Sequence, residues 1–352
     1  MTLAVMVVLG AVAALLLVEA LLRGLRLTEF SKAIGGWTWQ VYDPVTGWKN
    51  QPGYRDHSLE INSLSFRGAD LARRKPPGTL RIACLGDSGT FGIWVEGVPV
   101  GLRFDNYPEA LGRLLRQRGA PRVEVINCGV LGYSTSHGLR QLLTRVAELS
   151  PDIVTVRLGF NDHSMCWHSG LRAEEPASPL LRSLLYRFWR WGLFRLGLAL
   201  VQRLHVPDPT VRWATPERFA ANLRRFVAVA RERGYKLLFV DYPLRALERG
   251  ESIDTETPYG LLGVESLDEL HRLHGSYQEV LRRVTAEEGA LLADTGAVLQ
   301  ACPEETFSDY DLVHPNDRGA ELIARTLLDR IEAEGWLGAP AASGPASDPA
   351  DG

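Results

Sequence analysis

The sequence predicts an α/β domain, a flavodoxin-like doubly wound sheet of five parallel strands, preceded by an N-terminal transmembrane helix. Three observations carry this expectation. Five short apolar runs recur between residues 81 and 294, stretches with helical spacing or turn composition separate them, and residues 3–22 form one apolar block whose single charge is Glu19. Continuous short apolar runs suit strands buried on both faces, which is the habit of parallel sheets, and alternation with helices supplies the cover.

Taken in order, the first element is LAVMVVLGAVAALLLVEALL at 3–22. It is about the length that crosses a bilayer's hydrocarbon core as a helix. No basic side chain precedes Leu3, as one would before a secretory signal, so an uncleaved anchor over 1–24 is expected, with cleavage after Ala20 as the alternative. Arg23, Arg26 and Lys32 all follow the run, and by the positive-inside rule they favour a cytoplasmic C-terminal side. Residues 25–79 lack a helical period and are rich in aromatics, Gly and Pro, which reads as extended segments and turns packing on the main domain.

The main domain is expected over 80–336. Its strands are RIACLG (81–86), VEVIN (123–127), DIVTVRLG (152–159), KLLFVDY (236–242) and ALLAD (290–294). Helical patterns occupy 106–119, 215–234 and 266–289, the second with Thr215 as N-cap, Pro216 at the first helical position and Gly234 as stop. An insertion at 165–212, basic and rich in Leu, Trp and Phe, interrupts the alternation. It reads as a helical lid over the sheet edge, or as an interfacial helix resting on a membrane. The low-complexity stretch at 337–352 is expected to be a disordered tail.

With 352 residues, of which 45% are hydrophobic, the chain can bury a large core, and a net charge of −3 without a basic domain excludes a nucleic-acid binder. Cys84 and Cys128 fall in apolar strands and read as buried small residues, whereas Cys166 and Cys302 lie in loops where an oxidising compartment would allow a disulfide. No two cysteines have metal-ligand spacing.

Ligands of such sheets bind outside the carboxyl ends of the strands, so the turn after each strand is where chemistry is sought. The first strand is followed by Gly86-Asp87-Ser88-Gly89, a serine between strand end and helix start. The second is followed by Gly129 and by Gly132-Tyr133-Ser134, where a backbone N–H can face a developing oxyanion. The third is followed by Gly159-Phe160-Asn161-Asp162, with an amide able to donate. Near the C-terminus Asp311 stands three residues before His314-Pro315, a carboxylate able to orient an imidazole that takes the serine proton.

These blocks, in this order, resemble the four that define the SGNH (GDSL-like) hydrolases, over roughly residues 80–335. INSLSFRG at 61–68 is similar to the lead-in of a bacterial membrane-anchored subgroup. The resemblance implies the SGNH hydrolase fold and a serine esterase needing no cofactor or metal. Ser88 would be the nucleophile, His314 the general base and then acid, and Asp311 its orienting partner. The N–H groups of Ser88 and Gly132 and the amide of Asn161 would form the oxyanion hole. Gly132 is taken over Gly129 because it stands just before Tyr-Ser-Thr, where the family's donor glycine does. Gly89 departs from the family, which carries a bulky apolar residue there, and is expected to loosen the nucleophile turn.

Other readings compete. Gly132-Tyr133-Ser134-Thr135-Ser136 is a nucleophile elbow that lacks its last glycine. His163, Cys166 and His168 match no usual metal spacing and read as a loop lining the pocket. Asp87 and Asp162 read as carboxylates holding their turns, and His271 and His274 as a solvated helix face. The expected substrate is an ester of a carbohydrate or lipid, first a small acyl group such as acetate on an envelope polysaccharide. The same triad serving an O-acyltransferase, a lipase or lysophospholipase, or a non-catalytic envelope scaffold are the alternatives. The resemblance puts the catalytic domain outside the cytoplasm, against the positive-inside signal.

Overall fold

The computed structural model describes residues 3–24, 39–43, 45–96, 101–120, 122–164, 212–246, 263–308 and 311–337. Nearly all of the expected lid, with Cys166 and His168, and residues 338–352 of the expected tail lie outside them. Helix α1 (Leu3–Gly24) leads the chain. Among the described residues no helix is long and apolar enough to cross a membrane, so the structure does not show the expected span.

The five expected strands form one parallel sheet. They are β3 (Leu80–Gly86), β6 (Val123–Gly129), β7 (Ile153–Arg157), β8 (Lys236–Val240) and β9 (Leu291–Ala293), in the spatial order β6-β3-β7-β8-β9. The order reverses at β3, which pairs with β6 on one side and β7 on the other. The turns after β3 and β7 therefore flank the switch point, where a crevice opens between strand ends.

Alternation along β3 divides the core. Ile82 and Cys84 face one cluster, with Tyr107, Leu111, Ile323 and Leu327, and Ala83 and Leu85 face the other, with Phe219, Phe226 and Tyr277. Helices α3 (Tyr107–Gln117) and α7 (Asp317–Ala333) supply the first, and α5 (Pro216–Arg233) and α6 (Leu267–Glu288) the second. Each starts on a side-chain cap, Asn106, Asn316, Thr215 and Ser266 respectively. Gly234 ends α5 in the left-handed conformation that its lack of a Cβ permits. Cys84 and Cys128 are fully buried.

The lead-in contains an antiparallel hairpin, β1 (Gln40–Asp43) with β2 (Gly47–Asn50). Further on, the Asn62 side-chain oxygen accepts the N–H groups of Leu64 and Phe66, closing a turn that delivers Arg67 into the domain. Buried Arg67 donates to the carbonyls of Gly92 (2.9 Å), Phe91 and Phe104, at the end of the turn that carries Ser88. A short second hairpin, β4 (Trp94–Glu96) with β5 (Gly101–Arg103), follows that turn.

Candidate active site

At the carboxyl end of β3 the chain turns into a one-turn helix, α2 (Ser88–Phe91), with Asp87 as its N-cap accepting the Gly89 N–H at 2.9 Å. Ser88 is only half-buried, so its hydroxyl is reachable. His314 Nε2 lies 2.7 Å from Ser88 Oγ, and His314 Nδ1 lies 2.5 Å from Asp311 Oδ2. Asp311 Oδ1 also accepts the backbone N–H groups of Val313 and His314, at 2.7 and 3.1 Å, so the carboxylate fixes the turn as well as the ring. Ser88, 226 residues away in sequence, thus joins the neighbouring His314 and Asp311 in one continuous hydrogen-bonded line. Burial works against a protonated His314, but the charge and hydrogen bond of Asp311, aided by Asp87, outweigh it and raise the imidazole above its ordinary value of 6.5.

The second and third turns lie beside this line. Gly129 is spent structurally, because its N–H donates to Asn127 Oδ1 at 3.0 Å. Gly132 has φ +81°, a conformation that suits glycine, within a tight turn in which Tyr133 N–H donates to Val130 O. Asn161 is half-buried in the turn after β7, and its Nδ2 donates to Asp87 Oδ2 (3.0 Å) and to Tyr133 O (3.1 Å). Its amide therefore clamps the first and second turns together.

Beneath Ser88 sits a group the sequence reading overlooked. Arg157, the last residue of β7, is fully buried, and its guanidinium carbon lies 3.8 Å from the centroid of the Tyr242 ring. Tyr242 Oη in turn donates to Asp87 Oδ1 at 3.0 Å. A Cβ on Gly89 would come within 2.2 Å of Arg157 Nη1 and 2.5 Å of Tyr242 Oη. The apolar side chain missing at position 89 is thus replaced in space by a buried cation stacked on an aromatic ring. This corrects the expectation of a loosened turn, since the gap is filled. An arginine at the end of a buried strand beside a glycine at the turn was the available signal.

The profile of the GDSL-like lipase/acylhydrolase family matches residues 84–322, well over half of the chain. The chain belongs to this family. It is accordingly an ester-hydrolysing enzyme. Among solved structures it is similar to a lipase/acylhydrolase from Enterococcus faecalis, at 18% identity over 73% of this chain and 97% of that one, with a TM-score of 0.45. It is also similar to an acetylxylan esterase from Geobacillus stearothermophilus, at 18% identity over 72% and 94% of the two chains, with a TM-score of 0.43. Likenesses this distant say nothing of this acylhydrolase's substrate. No curated protein matches it.

The competing residues of the acylhydrolase have structural duties. Ser134 is fully buried, caps α4 (Thr135–Gln141) and lies 2.8 Å from His137 Nδ1, so no substrate reaches it. Asp162 accepts the N–H of Thr135 at 2.9 Å and its hydroxyl, tying the third turn to the start of α4. His163 does not line a pocket, and His274 is not on a solvated face. Both are buried, with His163 Nε2 2.9 Å from His274 Nδ1 and His274 Nε2 2.5 Å from the Tyr242 carbonyl. His271, one turn earlier on α6, is half-buried. The reading failed because His274 lies on the inward stripe of α6 with Tyr277 and Leu281, where a ring can be buried if its nitrogens find partners. Cys302 carries a free thiol.

Burial drives the imidazoles of His137 and His274 down to about 3 and about 4, and that of His163 well below its ordinary value. A depressed folded value means the unfolded chain binds the protons first, so stability is complete above about pH 6.5 and declines as pH falls below it. Each histidine contributes up to about 1.4 kcal/mol per pH unit in that window. Urea melts between pH 7 and pH 5 should show the loss, and the triple variant His137→Gln/His163→Gln/His274→Gln should show a flatter profile.

Proposed function

We propose that this acylhydrolase is a serine esterase in which Ser88 attacks the ester carbonyl, His314 takes and then returns its proton, and Asp311 holds the ring. The observation that carries this reading is the unbroken line from Ser88 Oγ through His314 to Asp311, at 2.7 and 2.5 Å. The N–H groups of Ser88 and Gly132 face the tetrahedral oxygen, and Asn161 joins them by sharing one of the amide hydrogens it gives to Asp87 and Tyr133. Loss of one such donor typically costs about 10²–10³ in rate. Water releases the acyl group.

The substrate on this reading is a small acyl ester, acetate first, on an envelope carbohydrate. The chain is held at the cell membrane by α1, with the catalytic domain outside the cytoplasm. Support comes from the exposed apolar side chains of α1, among them Met6, Val7, Leu9 and Leu17. Full-length enzyme in detergent, assayed on p-nitrophenyl acetate, p-nitrophenyl octanoate and acetylated xylo-oligosaccharides, tests the substrate class. Acetyl esters should be favoured at least tenfold in kcat/KM, and preference for the octanoyl ester would overturn the assignment.

His314 works as a base only when neutral, so its raised value places the acid limb of the kcat/KM profile above pH 6.5. In Asp311→Asn the charge that raises it is gone. The limb should then move to lower pH while the plateau drops about 10³- to 10⁴-fold. A pH–rate series on both proteins checks this.

A further inference from the structure

The hairpin β1–β2 lies outside the residues matched by the family, 84–322, yet its side chains end on the oxyanion turn. Trp48 Nε1 donates to the Leu131 carbonyl at 2.8 Å, and Gln40 Nε2 reaches the same oxygen at 3.4 Å. Asn50 Nδ2 donates to Gly129 O at 3.0 Å, and the Trp48 carbonyl accepts the Tyr133 hydroxyl at 2.6 Å. One short hairpin thus grips the turn before, at and after Gly132.

The Leu131 carbonyl and the Gly132 N–H belong to a single peptide group. That group is planar and trans, so its C=O and N–H point in opposite directions. Whatever fixes the Leu131 oxygen fixes the direction of the Gly132 N–H. A hydrogen bond accepted by the carbonyl also polarises the peptide and strengthens the N–H as a donor. Trp48 is well placed for this, being buried with its indole packed among Tyr133, His137 and Trp213 at centroid distances of 5.8, 4.7 and 5.9 Å. Its ring edge also closes off Gly132, where a Cβ would lie 3.3 Å from Cζ2.

We propose that Trp48 is a positioning residue for catalysis, aiming and polarising the Gly132 N–H from a lead-in segment outside the family domain, with Gln40 as its auxiliary. This rests on the reading of Gly132 as an oxyanion donor. An interaction that tightens only as charge develops on the oxygen shows in kcat and not in KM.

The test replaces Trp48 in the full-length enzyme in two ways, with Phe and with the isosteric benzothienylalanine, which keeps the ring volume and removes only the N–H. Turnover of p-nitrophenyl acetate and the affinity of a boronic acid transition-state analogue are measured beside melting temperature. Both variants should lose about tenfold in kcat with KM within twofold, and analogue affinity should fall by the same factor, a fraction of the loss from deleting a donor outright. The benzothienyl variant keeps the fold if Phe does not. An isosteric variant with wild-type kcat and analogue affinity would overturn the role of Trp48 alone. A wild type that fails to turn over the ester, or turns over no faster than Ser88→Ala, would overturn the catalytic reading itself and this role with it.

Discussion

Ser88→Ala and His314→Ala should each lower kcat of the acylhydrolase on p-nitrophenyl acetate by about 10⁴- to 10⁶-fold while leaving KM within a few-fold. The physical reason is that the hydroxyl is a weak nucleophile until the imidazole, 2.7 Å away, takes its proton. Without either group, attack falls to water held near the oxyanion donors. Because the two act as one unit, the double variant should be scarcely worse than either single one. Steady-state kinetics on the three proteins measures this. Additive losses in the double variant would mean that the residues act independently, and equal activity in all would remove Ser88 from the mechanism. Both side chains are partly exposed, so neither change should cost much stability.

The second large effect is on the fold. Gly89→Leu should destabilise the protein by about 3 kcal/mol and lower the melting temperature by roughly 5–10 °C. Its Cβ alone would fall 2.2 Å from the Arg157 guanidinium, and that side chain is fully buried with Tyr242 stacked against it. Activity should fall further than stability, since position 89 adjoins the nucleophile and its N–H is held by Asp87. Removing the obstruction should help, so Gly89→Leu/Arg157→Ala should be less destabilised than the sum of the two single changes. Calorimetry on the four proteins decides it, and strict additivity would show that the two positions do not share space.

The parallel sheet was legible because each strand is a short apolar run bounded by turn residues, and β3, β6, β7, β8 and β9 fall within two residues of expectation. The Ser88, Gly132, Asn161, Asp311 and His314 turns were legible because each follows a strand or stands next to a helix start. What escaped was whatever depends on packing between distant segments. Arg157 at the end of an apolar strand was a signal of a buried charge, but the space it fills is set by packing against Gly89 and Tyr242. His274 looked polar on a helix whose inward stripe is set by tertiary contacts with Tyr242 and His163. The hairpin at Trp48 carried no motif, since its purpose appears only when its indole meets the Leu131 carbonyl. The apolar block at 3–22 was read as a span from composition, while among the described residues no helix meets that standard.

The central claim is that Ser88 is the activated nucleophile. It is tested most directly by treating the full-length enzyme with a fluorophosphonate and mapping the adduct by peptide mass spectrometry. A single adduct on Ser88, lost in His314→Ala although the protein stays folded, is the predicted result. An adduct on another serine, or none on folded enzyme that still hydrolyses esters, would contradict the account.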